Sequence, residues 1–393
     1  MSPSSLKTEP PRKRVLVIGM LDSIHFARWL AQFEDQNIDF VILASKKFRR
    51  LNPHLTSLLS GNQLAKYEFP SFGLFPVISG YLDFITFVIM RRIFGLDLRS
   101  KHLGYILRNS NFHYLHALEI QGAGYLISSV NAELYSGSKV ILTNWGSDIY
   151  FYQNESNQKA LIQRALAKAD YYSAECVRDY DLARELGFNG IDLPCIPNAG
   201  GFNLNENPEK YLLTSSRKQI LIKGYGNTFG RVDLFIQQLP RIARAFPDIN
   251  FHFYSVTEDT LNSLKKICGE FSSRVRITTT KAKLTHSEMI SEFGRSRIYV
   301  GCSESDGIST SFLESLITGC YPIQTNTSCA NEWIGKGAIA SIIPLEDTAL
   351  LREIKRALLD DAHVNRAAIA NRQVASVYLG LDTIKEQSLK FYS

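Results

Sequence analysis

Apolar residues along the chain form short continuous runs, and stretches with a helical period separate these runs. In the stretches between them, apolar residues recur every two to four positions, as from Leu234 to Ile242. Strands that helices cover on both faces are apolar throughout, so this alternation predicts an α/β protein with parallel sheets. The strand-like runs are residues 15–20, 40–44, 140–143, 220–222, 251–254 and 298–300.

The length of the chain predicts two domains. Its 393 residues, of which 45% are hydrophobic and 21% charged, suffice for two α/β domains with separate cores. Gly and Asn gather from Gly200 to Asn207 and prolines flank this segment, which places the boundary there and predicts Rossmann-like domains at 14–200 and 207–377. Ligand is expected at the carboxyl ends of the strands, in the cleft between the domains. The polar residues 1–13 are predicted to be a disordered tail, and no apolar core of a signal peptide follows them.

Charge and cysteine usage narrow the class of partner. The chain has 44 basic and 38 acidic residues, and no stripe of alternating basic and aromatic residues, so nucleic acid is not an expected partner. The six cysteines are scattered, without a C-x-x-C pair or a histidine at metal-ligand spacing. This usage predicts free thiols in a reducing cytoplasm and no metal site.

Residues 69–94 are rich in Phe, Ile and Val, but charged residues interrupt them. Asp83 lies inside the segment, and Arg91 and Arg92 lie near its end, so it is too broken to span a bilayer. The favoured interpretation is a helix in the core of the first domain. The alternative is a helix that contacts the membrane surface peripherally, with its basic end on anionic lipid.

Two carboxylates stand eight positions apart in Asp306-Gly-Ile-Ser-Thr-Ser-Phe-Leu-Glu314, directly after an apolar strand. A helix is expected to begin near Ser311 with Ser309 or Thr310 as its cap, and the free N–H groups of a helix start bind phosphate. The predicted ligand-binding residues of this segment are Gly307, Ile308, Ser309, Thr310, Ser311 and Glu314. Taken alone, the two acids are better explained as a turn residue and a surface helix residue.

Two cations follow another predicted strand, in Lys218-Gln-Ile-Leu-Ile-Lys-Gly-Tyr-Gly-Asn-Thr-Phe-Gly-Arg231. The segment becomes rich in glycine and continues into an amphipathic helix. Taken alone, Lys223 and Arg231 are equally well explained as the charges of a solvated basic loop.

These two segments, in the order in which they occur along the chain, resemble the motifs of the retaining glycosyltransferases of family 4, which have the GT-B fold. The family's Glu-x7-Glu motif is matched by Asp306 and Glu314, with Asp in place of the first Glu. The resemblance implies that Asp306 faces the donor sugar and Glu314 binds the ribose. It also implies that Lys223 and Arg231 neutralise the donor diphosphate, and it assigns the two domains to a GT-B pair facing each other across a cleft.

Other segments extend the resemblance over residues 14–337. Asn111-Phe-His-Tyr-Leu-His-Ala-Leu resembles a strand end whose histidine faces the donor sugar; His116 matches by position and His113 is the competitor. A core histidine is the alternative. Residues 140–148, an apolar strand that ends in a turn, resemble the family's strand and loop at the cleft. Glu332 matches a further acid of the family. Residues 378–393 correspond to the family's terminal segment, which crosses back to the first domain.

The resemblance implies a cytoplasmic enzyme, or one at the inner face of a membrane. Such an enzyme moves a sugar from a nucleoside diphosphate to a hydroxyl of a glycan or lipid-linked acceptor, with retention and without metal or another cofactor. The expected setting is the synthesis of surface polysaccharide or glycolipid. Two alternatives remain open: a nucleotide-sugar epimerase of the same architecture, and a catalytically inactive scaffold subunit.

Overall fold

The computed structural model describes residues 12–34, 36–46, 51–60, 66–68, 89, 92–93, 98–204, 212–226 and 229–393. The interpretations of residues 69–94 therefore fall almost wholly outside the described residues. Residues 1–11 of the predicted tail and residues 205–207 of the predicted linker fall outside them as well, whereas Lys13, at the end of the predicted tail, is the first residue of a strand.

The chain divides into two compact units. The first unit contains Met1–Ala174, Tyr180–Gly200 and Gln387–Ser393, and the second contains Glu175–Asp179 and Gly201–Glu386. Each unit is therefore built from segments that are discontinuous in the sequence.

The first unit contains a sheet of seven strands in the order β3-β2-β1-β4-β5-β6-β7. All of its strand pairs are parallel, and β1 lies between β2 and β4. The strands are β1 (Lys13–Gly19), β2 (Ile38–Ala44), β3 (Lys66–Glu68), β4 (Tyr114–Ala117), β5 (Lys139–Thr143), β6 (Tyr171–Ser173) and β7 (Ile191–Asp192).

Helices connect these strands, as parallel pairing requires. Among the described residues they include the α-helices Ile24–Ala31, Pro53–Ser60, Leu98–Asn109, Tyr125–Ser128, Ser147–Tyr150, Ser156–Leu166 and Val177–Glu185, the last of which begins in the second unit. A single π-helical turn, Ile120–Gly124, follows β4, and short 3-10 helices occupy Ala132–Tyr135 and Tyr152–Asn154.

The last residues of the chain lie in the core of the first unit. Phe391 and Tyr392 are almost fully buried, and their rings contact Trp29 and Phe33 respectively. The Tyr392 hydroxyl lies 2.7 Å from Nδ1 of His116, and Trp29 Nε1 donates to it over 3.3 Å. The terminus therefore supplies both apolar area and the hydrogen-bond partner of a buried histidine.

The second unit contains a sheet of six parallel strands in the order β10-β9-β8-β11-β12-β13. The strands are β8 (Gln219–Lys223), β9 (Asn250–Val256), β10 (Val275–Thr279), β11 (Ile298–Gly301), β12 (Tyr321–Thr325) and β13 (Ser341–Ile343). The central pair is β8 and β11, in which Ile222 lies opposite Val300.

Helices also connect the strands of the second unit. They are Asp233–Ala245, Glu258–Ile267, His286–Arg295, Thr310–Thr318, Ala330–Gly335, Asp347–Leu359, Asp361–Tyr378 and Leu381–Leu389, with 3-10 helices at Thr214–Ser216, Gly269–Arg274 and, in the first unit, Lys390–Tyr392. The helix Asp233–Ala245 buries Phe235 and Leu239 completely, and Phe235 contacts Phe251 and Phe253 of the sheet.

The predicted α/β class with parallel sheets is confirmed. Each apolar run named above lies inside a strand, except that the run 15–20 extends one residue beyond the end of β1. This agreement is expected because a strand that is buried on both faces is apolar throughout. In the part of the chain that the structure describes, no helix has the length and apolarity needed to cross a membrane.

The buried contact of Tyr392 gives a test of how far the terminus stabilises the first unit. Tyr392→Phe should cost about 1–3 kcal/mol, because it leaves the partners of the hydroxyl unpaired in the core. Tyr392→Ala should cost about 3–5 kcal/mol, because it also opens a cavity. Urea unfolding measures both values. Tyr378→Phe, at a tyrosine that is 41% exposed, is the control; equal effects of the two phenylalanine variants would contradict the account.

Candidate functional site

Two neighbouring strands of the second unit bring the predicted residues of both motifs to one edge of the sheet. Lys223 is the last residue of β8, and the Asp306 loop follows β11. Because β8 and β11 are parallel, their carboxyl ends lie at the same edge. The helix Thr310–Thr318 begins there.

Lys223 lies against the start of this helix. Its Nζ is 3.7 Å from Oδ2 of Asp306 and 3.3 Å from Oγ of Ser309, and it lies 5.2 Å from the ring centre of Tyr225. Burial lowers the pKa of Lys223, but the charges of Asp306, Tyr299 and Tyr225 raise it, and the net result is a pKa above its ordinary value. Lys223 is therefore a permanent cation beside the helix start.

Ser309 is the N-cap residue, so the helix begins one residue earlier than expected. Its side chain makes no capping hydrogen bond; the hydroxyl instead contacts Lys223 and, at 3.4 Å, the Tyr299 hydroxyl. Tyr254 donates to Oγ of Ser311 over 2.7 Å. Since no side chain caps the first turn, its N–H groups are suited to an anion.

The Asp306 loop is held through its backbone. Arg178 Nη2 donates to the carbonyl of Asp306 over 2.9 Å, and the Cys329 N–H donates to the carbonyl of Gly307 over 2.8 Å. Ile308 is buried. These contacts fix the backbone and leave the Asp306 carboxylate to pair with Lys223.

Arg231 is held by other carboxylates. Its Nε and Nη2 donate to the two oxygens of Asp233, and its Nη1 donates to Glu304, each over 3.0 Å. The hydrogen bond to Asp233 is the largest cause that raises the pKa of Arg231. In the described residues its contacts are with these acids, so the structure does not join Arg231 to the pair formed by Lys223 and Asp306.

Glu314 lies near the middle of the helix and is 6% exposed. Nε2 of His286 is 3.3 Å from its Oε1. His286 is the first residue of another helix, and sequence reasoning missed it because 28 positions separate the two residues. A pattern confined to the acidic motif contains no signal for this contact.

Glu332 has a structural partner within the second unit. Its carboxylate accepts hydrogen bonds from the backbone N–H groups of Val177 and Arg178 over 2.9 and 3.0 Å. It thereby satisfies the free amides at the start of the helix Val177–Glu185. A carboxylate in this position also suits the positive end of the helix dipole.

Cys176 and Cys329 form a disulfide across 153 residues of sequence, so the expectation of free thiols is wrong for these two. The spacing of the cysteines could not reveal this pair, because only the fold brings it together. Their sulfur atoms also lie within 4.8 Å of a Glu332 oxygen, but the disulfide joins the two sulfurs to each other. The scattered spacing therefore gives no support for a reducing compartment. In the part of the chain that the structure describes, Cys195, Cys268, Cys302 and Cys320 take part in no disulfide.

His116 does not lie where the resemblance placed it. Its side chain is fully buried in the first unit, and its two ring nitrogens are each 2.7 Å from the hydroxyls of Thr143 and Tyr392. Burial lowers the pKa of His116 to about 3, so the ring is neutral. The competitor His113 accepts a hydrogen bond from the Arg14 N–H through Nδ1. The geometry of His116 corrects its assignment to that of a core residue with both nitrogens paired.

Two carboxylates lie near the carboxyl ends of β4 and β5 in the first unit. Glu119 accepts from the N–H groups of Gly122 and Ala123, and it pairs with Lys46 at 3.0 Å. Asp148 accepts from the Ile120 N–H over 3.0 Å. Burial, and then the charge of Glu119, raise the pKa of Asp148 from 3.8 to about 7. Asp148 thus closes the loop at the end of β4.

Two family models match separate parts of the chain. The model described as "Glycosyl transferases group 1" matches residues 218–361, and the model described as "Glycosyl transferase 4-like" matches residues 80–177. A search of curated protein sequences found no significant match. The first match contains Lys223, Asp306, Glu314 and His286.

Solved structures share the fold over almost the full length. Alr3699/HepE of Anabaena, in complex with UDP and glucose, has a TM-score of 0.69 at 11% identity, covering 97% of this chain and 99% of its own. A glycosyltransferase from Rickettsia africae (0.65, 15%) and the sucrose-phosphate synthase of Thermosynechococcus elongatus (0.65, 12%) each cover 97% of this chain and 98% of their own. The predicted GT-B fold is confirmed.

The raised pKa of Asp148 predicts a pH-dependent effect of Asp148→Asn. Because the folded-state pKa lies above that of the unfolded chain, the parent loses stability as pH rises from about 4 to about 7. Asparagine keeps an acceptor for the Ile120 N–H but carries no charge. The free energy of unfolding of the variant should therefore equal that of the parent or fall below it near pH 4. At pH 8 it should exceed that of the parent by on the order of 2 kcal/mol.

Thermal unfolding of parent and variant from pH 4 to pH 8 measures this difference. Asp181→Asn, at an exposed acid in the same unit, is the matched control and should give a difference that does not vary with pH. A constant difference for Asp148→Asn as well would contradict the ionisation account.

Proposed function

We propose that this GT-B glycosyltransferase is a retaining hexosyltransferase that uses a nucleoside diphosphate sugar as its donor. The observation that carries the proposal is the placement of Lys223, Asp306 and the start of the helix Thr310–Thr318 at one edge of the second sheet, with Glu314 buried in that helix. In this set, Lys223 and the helix start suit an anion, and the carboxylates of Asp306 and Glu314 suit the hydroxyls of a sugar and a ribose.

The diphosphate would lie at the helix start. Lys223 supplies a permanent positive charge, and the uncapped first turn of the helix supplies N–H groups and the positive end of the dipole. The bond from the anomeric carbon to the diphosphate oxygen breaks as the acceptor hydroxyl forms its bond on the same face. The acceptor proton passes to the departing phosphate, and the fixed charges stabilise the negative charge that develops there.

Asp306 would face the donor sugar, and Glu314 would accept hydrogen bonds from the ribose. We assign Arg231 only a secondary role, because it is held by Asp233 and Glu304 and binding a diphosphate would require it to exchange partners or use its remaining N–H groups. His116 has no place in direct contact with the donor, because it is buried and fully paired.

The acceptor class belongs to the same proposal. We expect a hydroxyl of a glycan or a lipid-linked sugar, in the synthesis of surface polysaccharide or glycolipid. The solved structures of HepE contain UDP, UDP-glucose, or UDP and glucose, which makes UDP-sugars the first donors to test. An epimerase would convert the donor without any acceptor, so incubation with donor alone separates the two activities.

The two acids of the motif should respond differently to substitution. Glu314→Ala should raise the donor KM and the Kd for nucleoside diphosphate by about 10- to 100-fold, since it removes hydrogen bonds to a charged group. Asp306→Ala should lower kcat by roughly 100-fold. It should leave nucleoside diphosphate affinity unchanged or increased, because the variant frees Lys223 of its partner.

Steady-state kinetics and calorimetry with nucleoside diphosphate measure these effects. Asp248→Ala, at an acid whose side chain is 78% exposed, is the matched control and should behave like the parent. The assignment fails if both motif variants bind and turn over like the parent.

Turnover should also survive chelation. Lys223 and the helix start can neutralise the diphosphate without a divalent cation, so we expect EDTA to change the initial rate by less than about twofold. If EDTA abolished activity and magnesium or manganese restored it, the diphosphate would need a divalent cation in addition to Lys223 and the helix start. The assignment of Glu314 and Asp306 to nucleotide-sugar binding would still be tested by their alanine variants.

A further inference from the structure

His286 lies beside the buried acid of the candidate site in a well-defined backbone position. It is the first residue of the helix His286–Arg295, and a capping box between Thr285 and Glu288 fixes the start of that helix. Nε2 of His286 lies 3.3 Å from Oε1 of Glu314.

Glu314 requires a partner because it is nearly buried. A carboxylate that loses water without a compensating hydrogen bond or opposite charge is strongly disfavoured. Among the described residues, the ion pair found for Glu314 is the one with His286. That contact engages one carboxylate oxygen and restricts rotation of the carboxylate group.

The imidazole itself is both supported and accessible. The ring of Phe202 packs against it, with centroids 6.2 Å apart and planes inclined by 29°. The side chain of His286 nevertheless remains 47% exposed. Phe202 therefore limits the movement of the ring while leaving part of the ring open to solvent.

We propose that His286 is a positioning residue for the nucleoside of the donor. It donates a hydrogen bond from Nε2 to Oε1 of Glu314, and this bond turns the other carboxylate oxygen toward the ribose hydroxyls. The inference rests on the proposed function, since it takes Glu314 as the ribose ligand. It adds a residue from a different helix that determines how tightly the nucleoside binds.

Three substitutions separate this role from a purely structural one. His286→Gln places an amide N–H near the position of Nε2, whereas His286→Asn places its amide near the position of Nδ1 and is too short to reach Glu314. His286→Ala removes the donor altogether. Rescue by Gln but not by Asn is expected only if the hydrogen bond from the Nε2 position matters.

The binding experiment uses two probes on the purified full chain. Calorimetry with ADP, GDP and UDP identifies the nucleotide that the parent binds, and inorganic pyrophosphate reports the phosphate site without a ribose. His286→Ala and His286→Asn should weaken binding of that nucleotide by about tenfold, the value for one hydrogen bond to a charged group. His286→Gln should stay within about threefold of the parent, and pyrophosphate affinity should not change.

Two controls complete the design. His363→Asn removes a different hydrogen-bonded histidine of the second unit, one whose Nε2 lies 3.0 Å from the Tyr321 hydroxyl, and it should leave nucleotide affinity unchanged. If His286 acts through Glu314, the double variant His286→Ala, Glu314→Ala should bind no more weakly than Glu314→Ala alone.

The outcomes distinguish the two levels of the proposal. A parent that binds none of the three nucleotides overturns the proposed function and this inference with it. A parent that binds a nucleotide, with His286→Ala and His286→Asn binding equally well, overturns the inference alone. Fully additive losses in the double variant, or equal losses for nucleotide and pyrophosphate, also overturn it, because His286 would then act independently of Glu314 or of the ribose.

Discussion

The parallel pairing of β8 with β11 is the constraint from which the arrangement of the candidate site follows. It brings Lys223, at the end of one strand, to the loop that follows the other, although 83 positions separate Lys223 from Asp306. Antiparallel pairing would have sent these two segments to opposite edges of the sheet. The helix Thr310–Thr318 then begins at the same edge, which adds its uncapped N–H groups to the lysine.

The charged side chains at this edge already have polar or charged partners within the protein. Lys223 pairs with Asp306, Arg231 with Asp233 and Glu304, and Glu314 with His286. Because partly buried charges without partners are costly, these pairs allow the loops to remain folded without ligand. A donor would replace protein partners by its own groups, so its affinity reflects the difference between two sets of contacts. Removal of Asp306 therefore removes a competitor of the diphosphate for Lys223.

The sequence was informative where the signal is local. Apolar runs located the strands, and the eight-residue spacing of Asp306 and Glu314 located a strand, loop and helix start that the structure contains. The contacts that the sequence did not reveal all join distant segments: His286 with Glu314, and Cys176 with Cys329. The sequence also did not predict that the His116 side chain is buried. The pattern around His116 resembles a strand end at a ligand site, but only the docking of the chain terminus explains why that ring is enclosed.

The residues Gln387–Ser393 belong to the first unit although the whole second unit precedes them in the chain. During synthesis on the ribosome, the first unit therefore emerges without Phe391 and Tyr392, and the surfaces of Trp29, Phe33 and His116 that these two residues cover stay open until residue 392 has emerged. Glu175–Asp179 likewise emerges long before the residues it joins, including Cys329. Completion of either unit is thus a late event, and a nascent chain that stalls before residue 391 has an incomplete aromatic core in its first unit.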